Sequence, residues 1–319
     1  MSEKAKNFGL IGVAGYIAVR HLEAIKQTGN KLLASLDPFD SVGLIDQYFP
    51  DSDFFVEFER YDRHFEKLKR SGVKIDFVSI CSPNFLHDSH IRFALRHQAD
   101  ALCEKPIVLN PWNIDALKQI EQETGKRVYT VLQLRLHPTI TALKEKVMQG
   151  SNKHKHDIDL TYITSRGNWY KFSWKGDIQK SGGVATNIGI HFFDMLSWVY
   201  GETKNNFVHM LEEDKAAGYL EMENARVRWF LSIDHNDLPE AIKEKGQRTY
   251  RSIRVEGKEI EFSGGFTNLH TETYRQILGG GGYGLDDARS SVQTVYDIRN
   301  SKIEKEKGEM HPFAYKLTR

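Results

Sequence analysis

Short, continuously apolar segments separated by amphipathic stretches dominate the N-terminal part of the chain. Phe8–Val13, Lys31–Leu36 and Phe77–Ile80 each have the length of a strand, and their apolar character is typical of strands buried on both faces of a sheet. Apolar residues at helical spacing follow each segment. A strand that leads through a helix into another strand requires a right-handed parallel crossover. We therefore predict an α/β domain with a doubly wound parallel sheet over residues 1–132.

The pattern changes in the second half, where segments of strand length alternate or run apolar at hairpin-like spacing. This pattern predicts an α+β domain over residues 133–319, with an open, largely antiparallel sheet covered on one face. We expect the charged tail from Lys302 onward to be extended or packed on a partner. The predicted strands are Ile158–Ser165, Val208–Glu212, Gly218–Met222, Arg226–Ile233, Tyr250–Val255 and Glu259–Phe262.

A glycine-containing turn with the sequence GVAGYIA, Gly12–Ala18, connects the first strand to the following helix. Glycines here let the backbone approach a pyrophosphate, and the helix N-terminus supplies N–H groups. The second strand ends at Asp37, about 20 residues beyond the glycines, where a carboxylate accepts hydrogen bonds from a ribose and repels a 2′-phosphate. The pattern predicts NAD in preference to NADP. Its GxxGxxA spacing differs from GxGxxG, and it also suits a turn that binds no nucleotide.

Polar residues followed by proline end two further core strands. Cys81 begins the sequence Cys-Ser-Pro-Asn, and Glu104 begins the sequence Glu-Lys-Pro. In open parallel sheets, ligands bind beyond the carboxyl ends of the strands. A lone Glu-Lys pair is more typical of solvated surface, but its place at a strand end makes Lys105 a candidate site residue.

Composition excludes several classes of function. The 319 residues include 44 Lys and Arg against 43 Asp and Glu, so no global attraction to nucleic acid or to an anionic membrane is indicated. The apolar segments are too short to span a membrane, and no secretory signal is visible. Both cysteines, Cys81 and Cys103, end core strands, which favours small buried residues in a reducing cytoplasm over a disulfide or a zinc site.

Two further motifs have a structural interpretation. His154 and His156 lie in a polar linker, which is more typical of a solvated loop than of metal ligands, so we predict no metal. Gly279–Gly284 resembles a phosphate loop, but Asp286 and Asp287 occupy the first turn of the following helix and would repel a phosphate. We predict a flexible connection there.

Four motifs, in this order, resemble the glucose–fructose oxidoreductase/inositol dehydrogenase (Gfo/Idh/MocA) family. They are GVAGYIA at Gly12–Ala18, SPNFLH at Ser82–His87, CEKP at Cys103–Pro106 and SGGVATNIGIHFFD at Ser181–Asp194. The resemblance covers almost the whole chain and implies a Rossmann domain that binds a nicotinamide cofactor, followed by a sugar-binding domain. The segments CEKPIVLNPWNIDAL, LQLRLHPTI and GNWYKFSWKGD are most similar to the family's UDP-N-acetylglucosaminuronate 3-dehydrogenases, which supply precursors of bacterial surface polysaccharides, including O-antigen.

The resemblance also implies roles for individual residues. Lys105 matches the catalytic lysine and His191 the active-site histidine, and both are expected to contact the substrate. Asn187 stands where many relatives carry Asp and, being an amide, cannot take a proton. The implied cofactor contacts are Gly12, Ala14, Gly15, Tyr16, Ile17, Asp37, Cys81, Ser82, Asn84, His87, Glu104, Lys105 and Gln133.

Oxidation of a secondary alcohol requires a hydride acceptor and a base for the hydroxyl proton. His191 suits the base because the ordinary pKa of histidine lies near ~6.5, and Lys105 could stabilise the developing alkoxide. A desolvated Lys105 could equally be the base. We expect the two residues to act on one hydroxyl.

Arg166–Lys180 combines basic and aromatic residues. Four of its residues are basic and Asp177 alone is acidic, while Trp and Tyr residues lie between the charges. This composition suits stacking on a sugar or base together with phosphate and carboxylate contacts, although a solvated basic loop is also compatible. We predict Arg166, Tyr170 and Lys175 as substrate contacts, alongside Asn187.

The sequence leaves three functions open. They are an NAD-dependent nucleotide-sugar 3-dehydrogenase, a family member that oxidises a free sugar or polyol or uses NAD transiently in glycoside cleavage, and a non-catalytic NAD-binding sensor. Lys105 and His191 argue against the sensor, and the basic loop against a small neutral polyol. By resemblance, a UDP-sugar is the expected substrate, 2-oxoglutarate a possible reoxidant of the bound cofactor, and a cytoplasmic homotetramer the expected assembly.

Overall fold

The computed structural model describes residues 5–40, 42–150, 154–260 and 268–318. They form two compact units. The first contains Met1–Gln133 and Asn268–Ala288, and the second contains Leu134–Thr267 and Arg289–Arg319. A single boundary between residues 132 and 133 does not include the return of Asn268–Ala288 to the first unit.

A parallel sheet with flanking helices forms the first unit. The strand order is β3-β2-β1-β4-β5-β6 and each described pair is parallel, which confirms the predicted doubly wound sheet. Adjacent β1 and β4 form the switch point of this order, where α/β sheets bind ligands. The strands are β1 (Asn7–Ile11), β2 (Lys31–Leu36), β3 (Asp53–Phe55), β4 (Phe77–Ile80), β5 (Asp100–Cys103) and β6 (Val128–Thr130). The helices are α1 (Ala18–Gln27), α2 (Leu44–Tyr48), α3 (Phe58–Arg70), α4 (His87–Arg96), α5 (Pro111–Thr124) and α11 (Leu269–Leu278).

The helix α11 was absent from the sequence prediction, although it closes the core of the first unit. Tyr274 and Ile277 belong to the same buried cluster as Phe8, Leu22 and Ile25 of β1 and α1. Burying a side chain of this size contributes about 1.5–3 kcal/mol. The buried face of α11 also carries histidine and threonine side chains, residue types that do not by themselves indicate a core position.

The glycine-rich connection after α11 is held by hydrogen bonds, in contrast to the flexible segment that we predicted. The Thr130 N–H donates to the carbonyl oxygen of Tyr283 at 2.9 Å. The Gly284 N–H donates to Asp287 Oδ2 at 2.8 Å. Asp287 therefore satisfies a backbone donor at the start of the following helix α12 (Leu285–Asn300), which explains an acidic residue at this position.

A mixed sheet forms the second unit, with the order β12-β11-β7-β10-β9-β8. The pair β7 and β10 is parallel and the other described pairs are antiparallel, which confirms a largely antiparallel sheet. Phe262, the end of the last predicted strand, lies outside the described residues. The strands are β7 (His156–Thr164), β8 (Thr203–Leu211), β9 (Lys215–Met222), β10 (Ala225–Ser232), β11 (Thr249–Val255) and β12 (Lys258–Glu259).

Both faces of this sheet receive packing from the second unit itself. On one face, Phe193 packs edge-to-face on Trp229 of β10 with ring centroids 5.4 Å apart. Phe230, the next residue of β10, points to the opposite face and stacks on Phe313 at 5.5 Å. The further helices are α6 (Pro138–Gln149), α7 (Trp169–Phe172), α8 (Ile178–Ser181), α9 (Ile190–Tyr200), α10 (Glu240–Lys243) and α13 (Pro312–Leu317).

The end of the chain packs on its own sheet, contrary to our expectation of an extended or partner-bound tail. His311 is buried and shares a hydrogen bond of 3.1 Å with Thr161 of β7. Its Nδ1 accepts the N–H of Phe313 at 3.2 Å and so caps α13. The tail therefore contributes to the core of the second unit.

None of the described helices is long and apolar enough to cross a membrane. The longest of them, α12, has 16 residues, fewer than the roughly 20 apolar residues that a bilayer requires.

Candidate active site

Gly12 allows the turn after β1 to lie against the end of β4. Its φ is +88°, and a Cβ at this position would lie 2.6 Å from the carbonyl carbon of Cys81. Its N–H donates to the carbonyl oxygen of Leu36 at 2.8 Å. No acidic side chain lies among the described residues of the first turn of α1, so its amides suit an anion. The turn fits the pyrophosphate of a dinucleotide.

Asp37 is joined to this turn by hydrogen bonds. Its Oδ2 accepts the N–H of Ala14 and its Oδ1 accepts the N–H of Phe39, both at 3.0 Å. A carboxylate offers about four lone-pair sites, so both oxygens can still accept ribose hydroxyls. Gly15 closes the turn through its N–H to the carbonyl oxygen of Gly12 at 3.1 Å. Tyr16 beside it is 92% exposed, and Ile17 is half-buried.

The loop after β4 is connected to the loop after β5 by His87. This histidine is buried, and its two ring nitrogens lie 2.7 Å from the carbonyl oxygen of Pro106 and 2.8 Å from that of Ser82. Burial lowers the pKa of His87, while the hydrogen bonds to the two carbonyl oxygens act in the opposite direction. Asn84 is buried in the same loop, Cys81 is half-buried, and the Ser82 hydroxyl bonds the His90 ring at 2.9 Å.

Glu104 lies at the end of β5 and is 7% exposed. Its Oε1 accepts from Nε2 of His21 at 3.0 Å and from Nε2 of His270 at 2.9 Å. Its Oε2 accepts the backbone N–H of Lys105 at 3.3 Å. The described hydrogen bonds of Glu104 thus support the backbone of the predicted catalytic lysine, which is half-buried. Gln133 follows β6 and is also half-buried.

The same three side chains, His21, Glu104 and His270, place one ligand atom each within 4.8 Å of one another, a spacing that could hold a metal ion. Both Nε2–Oε1 distances, however, lie within the range of N–H···O hydrogen bonds. His21 also uses its second ring nitrogen, Nδ1, in a 2.8 Å hydrogen bond with the Tyr274 hydroxyl. The geometry is therefore that of a satisfied hydrogen-bond cluster.

His191 is the second residue of α9 and is half-buried. A single π-helical turn, Ala185–Gly189, precedes α9, and such turns recur at functional sites. Gly182 and Gly183 begin this segment with φ of +81° and +78°, and a Cβ at Gly182 would lie 2.7 Å from Cβ of Thr186. Glycine is therefore required where the chain turns toward His191.

Asn187 within the π-helical turn contacts another predicted substrate residue. Its side-chain N–H donates to the Tyr170 hydroxyl oxygen at 2.6 Å. Tyr170 lies on α7 and is 2% exposed. The structure therefore brings two of the predicted substrate contacts, Tyr170 and Asn187, into one hydrogen-bonded pair beside α9.

The basic loop presents Lys175 between two indole rings. Its Nζ lies 5.2 Å from the ring centroid of Trp169 and 5.3 Å from that of Trp174, which are cation–π distances. Burial, and then the charge of Arg166, lowers the pKa of Lys175. Arg166 is exposed, and its backbone N–H donates to the carbonyl oxygen of Ile233 at 2.9 Å. The loop therefore offers two basic side chains, one of which, Lys175, packs against aromatic rings.

A buried ion pair joins α9 to the short turn that precedes α6. Arg135 donates to both carboxylate oxygens of Asp194, at 3.0 Å and 2.7 Å. Their side chains are 6% and 2% exposed. Asp194 lies three residues after His191 and so shares a helix face with it. A bidentate pair of this kind restricts the rotation of α9 and the direction of its side chains.

The sequence interpretation missed the residues that support the site: His21, Ser79, His270, Tyr274, Arg135 and Asp194. A histidine among the apolar residues of α1 was the one local signal. His270 lies 166 residues from Glu104 in the chain and Tyr274 lies 253 residues from His21. No spacing pattern could have revealed these contacts.

The fold and these residues define a class of protein, a Rossmann-type dinucleotide-binding oxidoreductase with a C-terminal α/β domain. The chain belongs to the Gfo/Idh/MocA oxidoreductase family. Residues 6–132 match the family's NAD-binding Rossmann fold, and residues 144–311 match its C-terminal alpha/beta domain.

Two solved structures are similar over nearly the full chain. The WlbA (WbpB) dehydrogenase from Thermus thermophilus in complex with NAD and alpha-ketoglutarate is 53% identical, with a TM-score of 0.93 over 97% of this chain and 99% of that one. A structure of WlbA from that organism in complex with NAD and UDP-GlcNAcA is 52% identical, with a TM-score of 0.92 over the same shares.

Curated relatives match more distantly. Glucose-6-phosphate 3-dehydrogenase from Bacillus subtilis is 25% identical over 198 residues, which are 61% of this chain and 54% of the relative. The chain spans between about a third and just over half of the length of the first curated relatives that it matches.

Proposed function

We propose that this chain is an NAD-dependent dehydrogenase that oxidises the C3 hydroxyl of UDP-N-acetylglucosaminuronic acid to the 3-keto sugar. The observation that carries the proposal is the 52–53% identity with WlbA structures that hold NAD together with UDP-GlcNAcA or alpha-ketoglutarate. Lys105 and His191 of the CEKP and GIHFFD motifs are both present. The product would enter the biosynthesis of bacterial surface polysaccharides such as O-antigen.

The first unit contains the residues that would hold the cofactor. Gly12, Ala14 and Gly15 offer backbone approach to the pyrophosphate, and Asp37 offers lone pairs to the adenosine ribose. The loops that His87 joins, with Ser82 and Lys105, lie at the ends of β4 and β5, on the nicotinamide side of such a sheet. NAD, when bound, supplies the acceptor for the hydride.

Lys105 and His191 are the groups that handle the hydroxyl proton. A lysine ammonium hydrogen-bonded to the hydroxyl oxygen stabilises negative charge that develops there. A neutral histidine accepts the proton, because its ordinary pKa is near ~6.5. The reverse assignment, with Lys105 as the base, uses the same two residues.

Substrate recognition would fall to the basic loop and the turn before α9. Arg166 and Lys175 carry positive charge for the diphosphate and the uronate carboxylate, and Trp169 provides a surface for stacking. Tyr170 and Asn187 present one hydroxyl and one amide as a pair. A carboxylate at the position of Asn187 would repel this anionic substrate, so the amide is consistent with it.

Reoxidation and assembly are further parts of the proposal. A crystal structure of the Thermus thermophilus WlbA contains alpha-ketoglutarate with NAD, which supports 2-oxoglutarate as the compound that regenerates the oxidised cofactor in the same site. A homotetramer in the cytoplasm remains our expectation from the family.

The test is a substrate panel with purified protein and NAD. We expect reduction of the nicotinamide with UDP-N-acetylglucosaminuronic acid, and more turnovers when 2-oxoglutarate is added. UDP-N-acetylglucosamine is the matched control, because it lacks only the carboxylate. Loss of one charge-assisted hydrogen bond costs about 1.5–3 kcal/mol, which is roughly a tenfold to hundredfold slower reaction.

Other outcomes would point elsewhere. Equal rates with the two UDP-sugars would mean that the basic loop does not recognise the carboxylate. Faster oxidation of glucose 6-phosphate or myo-inositol, the substrates after which relatives are named, would replace the proposal by a dehydrogenase of smaller sugars or polyols.

A further inference from the structure

A chain of side-chain hydrogen bonds crosses the core of the first unit and ends at the residue before Lys105. The hydroxyls of Ser79 and Tyr274 lie 2.6 Å apart. The Tyr274 hydroxyl bonds Nδ1 of His21 at 2.8 Å, and Nε2 of His21 bonds Glu104 Oε1 at 3.0 Å. All four residues are at most 7% exposed, so water cannot replace these contacts at low cost.

The donors and acceptors in this series of hydrogen bonds have one consistent assignment. Burial by itself would raise the pKa of Glu104, but the hydrogen bonds and charges of His21 and His270 hold it well below its usual value. Ionised Glu104 only accepts hydrogen bonds, so both histidines carry a proton on Nε2. Burial lowers the pKa of His21, so its Nδ1 is an acceptor for the Tyr274 O–H, which in turn accepts from Ser79.

The contacts of Glu104 indicate what this arrangement can do. Oε1 is occupied by two histidines that come from different helices, α1 and α11, so the carboxylate is fixed from both sides. Oε2 accepts the backbone N–H of Lys105. The site thus contains a buried carboxylate that is held by hydrogen bonds from three distant parts of the chain, α1, α11 and, through Tyr274, β4. Its neighbour in sequence is the predicted catalytic lysine.

We propose that Ser79, Tyr274, His21, His270 and Glu104 form a positioning network that fixes an ionised carboxylate beside Lys105, orients this lysine and favours its charged form. Glu104 is then a positioning residue for Lys105. The inference rests on the proposed function in one respect, namely that Lys105 is catalytic. A carboxylate held in this way favours an ammonium in its vicinity, because opposite charges stabilise each other.

Several other ionisable groups lie near Glu104, and their protonation affects how its charge depends on pH. These are the thiol of Cys81 just after β4, the thiol of Cys103 on β5 and the imidazole of His87 at the start of α4. Burial raises the pKa of both thiols, which favours their neutral form. The remaining members, His21, His270 and Tyr274, are the network itself.

The experiment measures the titration of Lys105 without substrate or turnover. The full-length protein is treated with a trace of acetic anhydride at a series of pH values, and acetylation of Lys105 is quantified by mass spectrometry. Glu104→Gln keeps the size of the side chain but removes its charge. We expect the midpoint of Lys105 labelling in this variant to move down by about one pH unit.

Matched variants separate positioning from general damage. Tyr274→Phe removes only the distant hydroxyl, so we expect a smaller shift in the same direction. His21→Gln retains a donor toward Glu104 and should label like the wild type, whereas His21→Leu removes the donor and should shift the midpoint. Binding of NAD reports whether each variant is folded, and Tyr274→Phe with His21→Leu carries the test if Glu104→Gln does not fold.

An unchanged labelling midpoint in folded Glu104→Gln would overturn the proposal. A stoichiometric metal ion in the purified wild type that is lost in Glu104→Gln would also overturn it, because His21 and His270 would then be ligands. Failure of the UDP-sugar assay is a separate result. It would contradict the proposed substrate and leave the labelling shift, and with it the network, in place.

Discussion

Each compact unit contains one buried carboxylate close in sequence to a predicted catalytic residue, and the partners of the two carboxylates differ. Glu104 precedes Lys105 and accepts hydrogen bonds from the histidines His21 and His270. Asp194 follows His191 by three residues and accepts a bidentate contact from Arg135. Arginine cannot lose its proton in a protein, whereas histidine can.

This difference decides how each carboxylate responds to its surroundings. In the Asp194 pair the arginine keeps its charge, so this pair serves to hold α9. The partners of Glu104 are histidines, which can gain or lose a proton, so the environment of this carboxylate depends on their protonation state. The carboxylate that supports a helix therefore has an arginine partner, and the carboxylate next to the predicted catalytic lysine has histidine partners.

The largest expected effect comes from removing the two catalytic residues themselves. Lys105→Ala and His191→Asn should each lower turnover by 10²–10⁴-fold, the typical cost of losing an acid–base group. NAD binding to Lys105→Ala should persist, because Gly12 and Asp37 are unchanged. The measurement is the rate of NADH formation with UDP-N-acetylglucosaminuronic acid.

The double variant sharpens this comparison. If Lys105 and His191 act on one proton, the double variant should be little worse than the poorer single variant. Near-normal turnover of His191→Asn at neutral pH would refute the assignment of His191 as the base and leave Lys105 in that role.

Breaking the charge pair of the second unit should have the next largest effect. Asp194→Asn leaves Arg135 buried without its counter-charge, and we expect a loss of about 3–5 kcal/mol in the free energy of unfolding. Urea unfolding measures this loss.

The control is Asp159→Asn. Asp159 also makes a bidentate pair, with Arg228, but the two side chains are 22% and 31% exposed. An exposed pair of this kind typically contributes about 0–1 kcal/mol. Similar losses of unfolding free energy in the two variants would show that burial does not determine the cost of breaking the ion pair.

The sequence alone identified the parts of the site that depend on local spacing. The glycine turn, Asp37 and Lys105 follow strand ends, and the order of strands places such ends together. The support of the site depends on packing between distant segments, as in the contact of Glu104 with His270. The helix α11 that carries His270 was not predicted, and several of its buried residues are histidine or threonine, which are not typical of a core.

Prediction from the sequence was limited in the same way for the second unit. The sequence indicated a basic aromatic loop, but not that Lys175 lies over two indole rings or that Tyr170 is buried against Asn187. It also placed the chain end outside the core, although His311 and Phe313 complete one face of the sheet. The tail is rich in charged residues, and the apolar residues that pack on the sheet, such as Phe313 and Ala314, are few and scattered among them.

The pH dependence of the free energy of unfolding tests whether a buried histidine makes the second unit sensitive to acid. Burial lowers the pKa of His311 to about 4, from an ordinary value of 6.5. Because the folded state then binds fewer protons than the unfolded state, its contribution is present above about pH 6.5 and is lost as the pH falls toward 4. The difference corresponds to about 3 kcal/mol. In His311→Asn, where Oδ1 can still cap α13, unfolding free energy should decline less steeply over this range.

The control for this titration is His235→Asn, which changes an exposed histidine of the same unit. Its acid dependence should equal that of the wild type. If His311→Asn also retains the full acid dependence, other buried groups are responsible. His90 of the first unit, whose pKa burial lowers to about 4 as well, would be the next candidate.

The smallest effect is expected from removing one hydroxyl in each unit. Tyr170→Phe removes the acceptor of the Asn187 amide, which is half-buried and can bond water instead, so we expect a loss of about 1 kcal/mol. Tyr274→Phe strands a ring nitrogen of His21 and a hydroxyl of Ser79 where no water can reach, so the loss should be larger, about 1–3 kcal/mol.

Urea unfolding of the two variants gives the difference directly, and activity adds a second criterion. Because Tyr170 is a predicted substrate contact, its variant should raise the KM for the UDP-sugar several-fold with little change in kcat. Tyr274→Phe should leave KM nearly unchanged, because the hydroxyl acts on Lys105 only through His21 and Glu104. If the two variants were equally stable and changed KM equally, the distinction between a sealed network in the first unit and a solvated contact in the second would not hold. Each variant loses one hydroxyl, so the comparison measures the effect of burying the polar group that has lost its hydrogen-bond partner.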